Sequence, residues 1–218
     1  MKKVLMSLLF MLLLTPLAHA EYKEGVQYKV IENAQPTASA DRIEVLELFW
    51  YGCPHCYRLE PELEAWLEKK PDDVVFVRLP AILGPPWALH ARAFYTAELL
   101  GVTDKIHKPL FDRIHKEKKP IRNEQQLKDF FIEQGVSAED FDKTYNSFAV
   151  ITKTNRAKQA VSLYGISGVP TLVVDGKYRT SAREAGSNKG ILEVVDFLVK
   201  KEREARAAAA GKAQAASQ

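Results

Sequence analysis

Two apolar runs of the chain flank a segment with helical spacing. Residues 42–50 are nearly continuously apolar, which is typical of a strand covered on both faces. The next apolar positions, Cys56, Leu59 and Leu63, recur at three- and four-residue intervals and predict a helix. Another apolar run at 74–79 predicts a second buried strand. Together these elements predict a β-α-β unit, whose crossover we expect to be right-handed.

The middle of the chain, residues 86–164, has helical spacing throughout. Apolar residues recur there at three- and four-residue intervals, and the stretch contains no convincing strand pattern. Asn123 and Ser137 are typical helix N-cap residues, so we expect a helix to begin after each of them. This stretch therefore predicts an all-helical unit.

Strand character returns at 171–174. Asp175-Gly176 follows it and is typical of a two-residue hairpin turn, so a returning strand is expected at 177–180. Residues 191–198 carry one apolar stripe at helical spacing and predict a closing helix.

The ends of the chain carry less apolar patterning. A short edge strand is expected at 27–31. Residues 207–218 are rich in alanine and have nothing to bury, so we expect this tail to lack regular structure.

Residues 1–20 have the pattern of a secretory signal peptide. Lys2 and Lys3 precede an apolar core, and Ala18-His19-Ala20 is a typical cleavage site. The alternative is a membrane anchor, but the apolar core falls short of the roughly 20 residues that span a bilayer. We therefore expect cleavage after Ala20 and an exported mature chain that begins at Glu21.

Composition and charge are those of an ordinary globular protein. Of the 218 residues, 46% are hydrophobic and 27% are charged. The formal net charge is +3, and two of these charges lie in the expected signal peptide. A balance this close to neutral gives no support for nucleic-acid binding.

Cys53 and Cys56 are separated by two residues at the junction of the predicted strand and helix, which is the redox arrangement of thioredoxin-like proteins. A helix N-terminus has backbone N–H groups without partners and a partial positive charge, so it stabilises a thiolate. We therefore expect Cys53 to be the reactive thiol and Cys56 the resolving thiol. Pro54 suits the first helical position, and His55 can add positive charge or a hydrogen bond near the Cys53 sulfur.

Other roles for the two cysteines fit the sequence less well. A disulfide across two residues closes so short a loop that it constrains the unfolded chain little. A metal site needs about four ligands, and the chain has no second Cys-x-x-Cys and no His-x-x-x-His. Haem attachment would need histidine directly after Cys56, where Tyr57 stands. No phosphate-binding or flavin motif occurs, so we expect no bound cofactor.

The residues from Phe49 to Tyr57, with Cys-Pro-His-Cys at their centre, resemble the active site of the DsbA family of periplasmic thiol:disulfide oxidoreductases. Glu47, six residues before Cys53, and the Gly-Val-Pro-Thr sequence at 168–171 extend the resemblance. It implies an α/β protein with a thioredoxin fold and an inserted all-helical domain. The thioredoxin-like parts would span 21–84 and 165–206, and the helical insertion 85–164.

The resemblance also implies roles for two further positions. From the residues alone, Glu47 could either face solvent or be buried on the central strand. The resemblance favours a buried carboxyl group whose pKa is raised and which exchanges a proton with Cys56. Only about one X–Pro bond in twenty is cis in folded proteins, but the resemblance implies a cis Val169–Pro170 bond facing the cysteines. The Val169 backbone would then pair with an extended substrate peptide.

The implied activity is that of a protein disulfide oxidase. It would donate the Cys53–Cys56 disulfide to folding exported polypeptides with free cysteines, and a DsbB-like membrane quinone reductase would reoxidise it. Trp50, Tyr51 and Trp87 are expected to form an apolar rim for unfolded chains, with packing in the core as the alternative. We expect a monomer without metal or nucleic acid. A reductase or isomerase, and a peptide-binding chaperone with incidental cysteines, remain as alternatives.

Overall fold

A five-stranded mixed sheet forms the centre of the molecule. The computed structural model describes residues 22–216, so the predicted signal peptide lies outside the described residues. The strand order is β1-β5-β4-β2-β3; β2 and β3 are parallel, and the other neighbours are antiparallel. The strands are β1 (Lys29–Val30), β2 (Ile43–Phe49), β3 (Val74–Pro80), β4 (Thr171–Val174) and β5 (Tyr178–Ser181).

Eight helices occur in the described part of the chain. One connects the parallel strands, five lie between β3 and β4, and two follow β5. They are α1 (Pro54–Leu67), α2 (Pro85–Leu99), α3 (Thr103–His115), α4 (Glu124–Glu133), α5 (Ala138–Tyr145), α6 (Phe148–Leu163), α7 (Ala182–Ala185) and α8 (Asn188–Ala216). The predicted thioredoxin-like fold with a helical insertion is confirmed.

Strand β2 is buried over its whole length and divides the core into two layers. Because successive side chains of a strand point to opposite faces, Val45 packs with α1 and α8, while Leu46 and Leu48 pack with α6 on the other face. Glu47 has the same parity as Val45 and therefore lies on the face covered by α1. This register places a carboxyl beneath the helix that carries the cysteines.

The inserted helices share one hydrophobic cluster with the cysteine motif. Phe94, Phe111 and Phe131 of the insertion belong to the same buried cluster as Phe49 and Cys56. The predicted helix starts are confirmed: the Asn123 side chain accepts a hydrogen bond from Gln126 N, and the Ser137 side chain accepts one from Asp140 N. The insertion thus packs directly on the segment that joins β2 to α1.

The structure confirms one prediction for the ends of the chain and contradicts another. The predicted edge strand near the N-terminus is present as β1. The prediction that residues 207–218 lack regular structure is wrong for 207–216, which extend α8. Alanine has the highest helix propensity of the amino acids, so these turns continue a helix that packing has already nucleated, although the side chains of 207–215 stay exposed. Among helices within residues 22–216, none has the length and apolar character needed to cross a membrane.

The predicted hairpin between β4 and β5 is confirmed, and its turn requires glycine at its second position. Asp175 and Gly176 have φ values of 52° and 64°, as in a type I′ turn. A Cβ on Gly176 would lie 2.0 Å from the carbonyl oxygen of Gln35, closer than any contact allows. The left-handed backbone disfavours a side chain at Gly176, and the close approach of Gln35 excludes one.

Gly176→Ala is expected to lower the free energy of unfolding by roughly 1–3 kcal/mol, because the backbone of Gln35 must move. Gly211→Ala is the matched control, since nothing lies within 4 Å of the added Cβ on helix α8, and it is expected not to lower stability. Urea unfolding of both variants measures this difference. Equal stability of the two variants would contradict the proposed requirement at the turn.

Candidate active site

Cys53 occupies the N-cap position of α1. Its φ and ψ of −87° and 116° are extended, and the helix begins at Pro54, as the sequence predicts. The Cys53 N–H donates to the carbonyl of Trp50 over 2.9 Å, which holds the turn. The sulfur therefore sits where the first N–H groups of the helix point and where the helix dipole is positive.

The pKa of Cys53 is lowered from 9.0 to about 6. The largest cause is a hydrogen bond from the Cys56 thiol, which outweighs the opposing effect of burial. Backbone N–H groups of Cys56 and His55 lower it further, and the positive charge of His55 contributes least. The Cys53 sulfur is consequently an anion at neutral pH.

Cys56 behaves in the opposite way. Its side chain is fully buried, and burial raises the pKa of its thiol well above 9.0. The hydrogen bond to Cys53, and the negative charges of Cys53 and Glu47, raise that pKa further. Both cysteines are free thiols in this structure. The pair is therefore asymmetric: a thiolate with 7% of its surface exposed lies beside a fully buried thiol that keeps its proton.

His55 is exposed and contacts a neighbouring cation. Nη2 of Arg58 donates to Nδ1 of His55 over 2.8 Å. A guanidinium group can only donate, so Nδ1 accepts in this contact, and protonation of Nδ1 would break it. Arg58, one helical turn after His55, thus adds a cation beside the motif that sequence reasoning did not identify.

Glu47 is completely buried and paired with Arg78, its register partner on β3. Arg78 Nε lies 3.2 Å from the Glu47 carboxylate. Burial nevertheless raises the pKa of Glu47 from 4.5 to about 8, helped by the negative charge of Glu60. The predicted burial and raised pKa are confirmed. At neutral pH this carboxyl is protonated and can transfer a proton.

Arg78 also links Glu47 to two acidic residues of α1. Its Nη2 lies 3.3 Å from the carboxylate of Glu60 and 2.8 Å from that of Glu64. The Glu60 carboxylate lies 3.3 Å from His107 Nε2, on α3. Sequence reasoning missed this network; the available signal was one arginine within the apolar run of β3.

Helix α3 of the insertion holds the motif at three points. The Tyr51 hydroxyl lies 2.9 Å from His107 Nδ1, and the Tyr51 carbonyl lies 2.8 Å from His115 Nε2. Tyr57 donates its hydroxyl to Asp112 over 2.8 Å. His107 and His115 therefore join helix α3 to the loop that carries the cysteines.

The Val169–Pro170 bond is cis, as predicted, and its loop faces the cysteines. The Cys53 sulfur lies 3.4 Å from the Val169 carbonyl oxygen. Thr171 Oγ1 donates to Gly168 O over 2.8 Å and fixes the loop. Within residues 22–216 the Val169 N–H has no backbone partner, so it can donate a hydrogen bond to another chain.

The aromatic residues around the cysteines differ in exposure. Trp50 is half-buried and stacks on Trp87, with ring centroids 4.2 Å apart and planes 10° apart. The expectation that Tyr51 belongs to the exposed rim is wrong, because its side chain is 1% exposed and packs against Phe49 and Phe111. Trp50 and Trp87, both half-buried, offer aromatic surface beside the cysteines. No group of three or more His, Cys, Asp or Glu side chains within residues 22–216 could hold a metal ion.

Comparison with known proteins points to one family. Residues 44–188 match the DSBA-like thioredoxin domain. The chain is 44% identical to the thiol:disulfide interchange protein DsbA of Pseudomonas aeruginosa over 85% of this chain and 88% of that protein, and 40% identical to the Burkholderia cepacia DsbA over 92% and 97%. The crystal structure of Pseudomonas aeruginosa DsbA superimposes with a TM-score of 0.81, covering 85% of this chain and 96% of the other at 44% identity.

The His55→Ala variant tests how the thiolate is stabilised. Because the backbone N–H groups and the Cys56 thiol remain, the pKa of Cys53 should rise above about 6 yet stay below 9.0. Thiolate absorbance titrated against pH measures it. Lys212→Ala, an exposed cation at the far end of α8, serves as control and should leave the titration unchanged. A rise to 9.0 would contradict the role of the backbone.

The pH dependence of stability tests the raised pKa of Glu47. Between pH 4.5 and about 8 the unfolded chain releases a proton that folded Glu47 keeps, so folding becomes less favourable as pH rises. Relative to Glu47→Gln, the wild type should therefore lose free energy of unfolding from about pH 5 to about pH 8. Urea unfolding of the reduced proteins measures this, with the exposed Glu62→Gln as control. A difference that does not change with pH would refute the raised pKa.

Proposed function

The chain belongs to the DSBA-like thioredoxin domain family and is a thiol:disulfide oxidoreductase, and from this premise we propose that it acts as an oxidase, donating the Cys53–Cys56 disulfide to exported polypeptides as they fold. The observation that carries the proposal is the asymmetry of the two thiols. A stabilised Cys53 thiolate favours the reduced enzyme and so favours transfer of the disulfide to the client.

The transfer proceeds in two thiol–disulfide exchanges. A client thiolate attacks the Cys53 sulfur of the oxidised enzyme, forming a client–Cys53 disulfide and releasing Cys56 as a thiolate. A second client thiolate then attacks the client sulfur of that mixed disulfide and releases the Cys53 thiolate. The client loses two electrons and two protons, and the enzyme ends as the dithiol.

The lowered pKa makes the second exchange favourable. With the pKa of Cys53 at about 6, its ionisation lies about one unit below neutral pH and favours the reduced enzyme by ~1.4 kcal/mol, or ~30 mV. Cys53 is also the better leaving group, because the thiol of lower pKa leaves faster.

Glu47 serves the first exchange. Cys56 is released into a fully buried site where an anion is unfavourable, and burial raises its pKa well above 9.0. Glu47 is protonated at neutral pH and lies on the sheet face beneath α1, so it is the group that gives Cys56 a proton. Arg78 stabilises the negative charge that Glu47 then carries, whereas the charges of Glu60 and Glu64 oppose it and favour the return of the proton.

Clients bind as extended chains beside the cysteines. The free N–H of Val169 and its carbonyl pair with the client backbone, which requires no particular client sequence. Pro170 fixes this loop, and Trp50 with Trp87 supplies an apolar contact for unfolded segments. Polypeptides with free cysteines are therefore the substrates.

The enzyme must be reoxidised after each transfer. The family resemblance supports a DsbB-like membrane quinone reductase as the oxidant and the periplasm as the compartment, with the chain working as a monomer. The signal-like pattern of residues 1–20 supports export, with Glu21 as the first residue of the mature chain.

The alternatives predict different thiol chemistry. A reductase needs a stable disulfide, and hence a Cys53 thiol that does not ionise readily. The Cys53 pKa of about 6 opposes this alternative. A peptide-binding chaperone needs neither cysteine, so its activity would survive the loss of Cys53.

Cysteine variants distinguish the oxidase from a chaperone. Cys53→Ser should lose all disulfide transfer, because it removes the sulfur that clients attack. Cys56→Ser should instead accumulate a mixed disulfide with an oxidised client, because the resolving thiol is missing. Quenched reactions analysed by mass spectrometry detect both outcomes. Client oxidation by Cys53→Ser, or a wild-type Cys53 that titrates near 9.0, would exclude the proposed oxidase.

A further inference from the structure

A cleft of about 790 Å³ opens beside the cis-proline loop. It begins at His55 and Val169, next to the reactive sulfur, and extends along the sheet edge to β1, β5 and α7. Three of its lining side chains are cations and one is a carboxylate: Lys29, Arg179, Arg183 and Glu184. We call this region the basic cleft. Its formal charge, with His55 neutral, is positive.

The arrangement of cations in the basic cleft is unfavourable for the sheet itself. Lys29 and Arg179 are direct register partners in the antiparallel pair of β1 and β5. Like charges directly opposite each other on neighbouring strands destabilise the pairing. A structural role would favour opposite charges at these positions, so the repeated positive charge indicates a function outside the sheet.

The one carboxylate of the cleft pairs with Lys29 and leaves the two arginines of the cleft without a counter-charge. Glu184 lies 3.4 Å from Lys29 and also accepts a hydrogen bond from Ser181 over 3.0 Å. Within residues 22–216, neither Arg179 nor Arg183 has an ion-pair partner. Arg179 is half-buried and Arg183 exposed, so both guanidinium groups are available to an anion in the cleft.

We propose that the basic cleft selects clients that carry aspartate or glutamate close to the cysteine being oxidised. The inference rests on the proposed function and adds a preference that backbone pairing at Val169 cannot provide. Side chains of an extended peptide advance by about 3.3 Å per residue, so a chain bound at Val169 brings its flanking residues alongside Arg179 and Arg183. Complementary charge would raise the rate of encounter more than the lifetime of the complex.

Peptide oxidation rates test the preference. Reduced peptides of one sequence with two cysteines carry Glu, Gln or Lys on either side of the first cysteine, and each is mixed with oxidised protein. Quenching and mass spectrometry give the rates. Acidic residues also change the reactivity of the peptide thiol itself, so the measured quantity is the Glu-to-Gln rate ratio, compared between protein variants.

The wild type should show a Glu-to-Gln ratio roughly two- to fivefold above that of Arg183→Glu at about 0.01 M salt. Arg183 is exposed and lies on a short helix, so its substitution is compatible with folding; Arg179→Gln should lower the ratio in the same direction. Lys212→Glu, the same charge change on the exposed end of α8, should keep the wild-type ratio. At about 1 M salt, where the screening length is ~3 Å, all ratios should converge.

Two results would overturn the inference. The first is an equal Glu-to-Gln ratio in the wild type and Arg183→Glu at low salt. The second is a ratio in Lys212→Glu that falls as far as in Arg183→Glu, because the effect would then depend only on the net charge of the protein. These outcomes are separate from failure of the oxidase itself. If the Gln peptide is not oxidised and Cys53 titrates near 9.0, the proposed function fails; if the Gln peptide is oxidised normally and charge has no effect, only the charge preference fails.

Discussion

The hydrogen bonds that converge on the Cys53 sulfur are the interaction on which the rest of the structure depends. They come from the Cys56 thiol and from backbone N–H groups of the first turn of α1. Both kinds of hydrogen bond require that β2 ends at Phe49 and that α1 begins at Pro54. The geometry of this strand-to-helix junction therefore determines the state of the Cys53 sulfur. The sheet supplies the fixed base for that junction, because β2 is buried along its full length between two neighbours.

The helical insertion is part of this junction rather than an appendage to it. Tyr51 and Tyr57, on either side of the cysteines, are bonded to His107, His115 and Asp112 of α3. Burial lowers the pKa of His107, whose ring lies between the Tyr51 hydroxyl and the Glu60 carboxylate. The same helix therefore closes the aromatic core above the motif and completes the charge network below it.

Local patterns were sufficient to predict most of the fold and the two cysteines. The apolar run of β2, the cap at Ser137 and the Asp175-Gly176 turn are determined by neighbouring residues, and each is where the pattern indicated. The partners of Glu47 depend instead on the register of β2 against β3 and on how α3 packs, which link distant positions in the sequence. The helical end of α8 was missed because alanine propensity was given less weight than the lack of burial.

Glu47 shows how strongly the site departs from what stability alone would select. A hydrophobic residue on the buried face of β2 would avoid the desolvation that raises its pKa to about 8. Even with Arg78 alongside, the described residues leave Glu47 Oε1 without a hydrogen-bond partner. A buried polar atom of this kind is costly and requires an explanation. The proton exchange with Cys56 that we propose supplies such an explanation, because a carboxyl that titrates near neutral pH can both give a proton to the released thiolate and take it back.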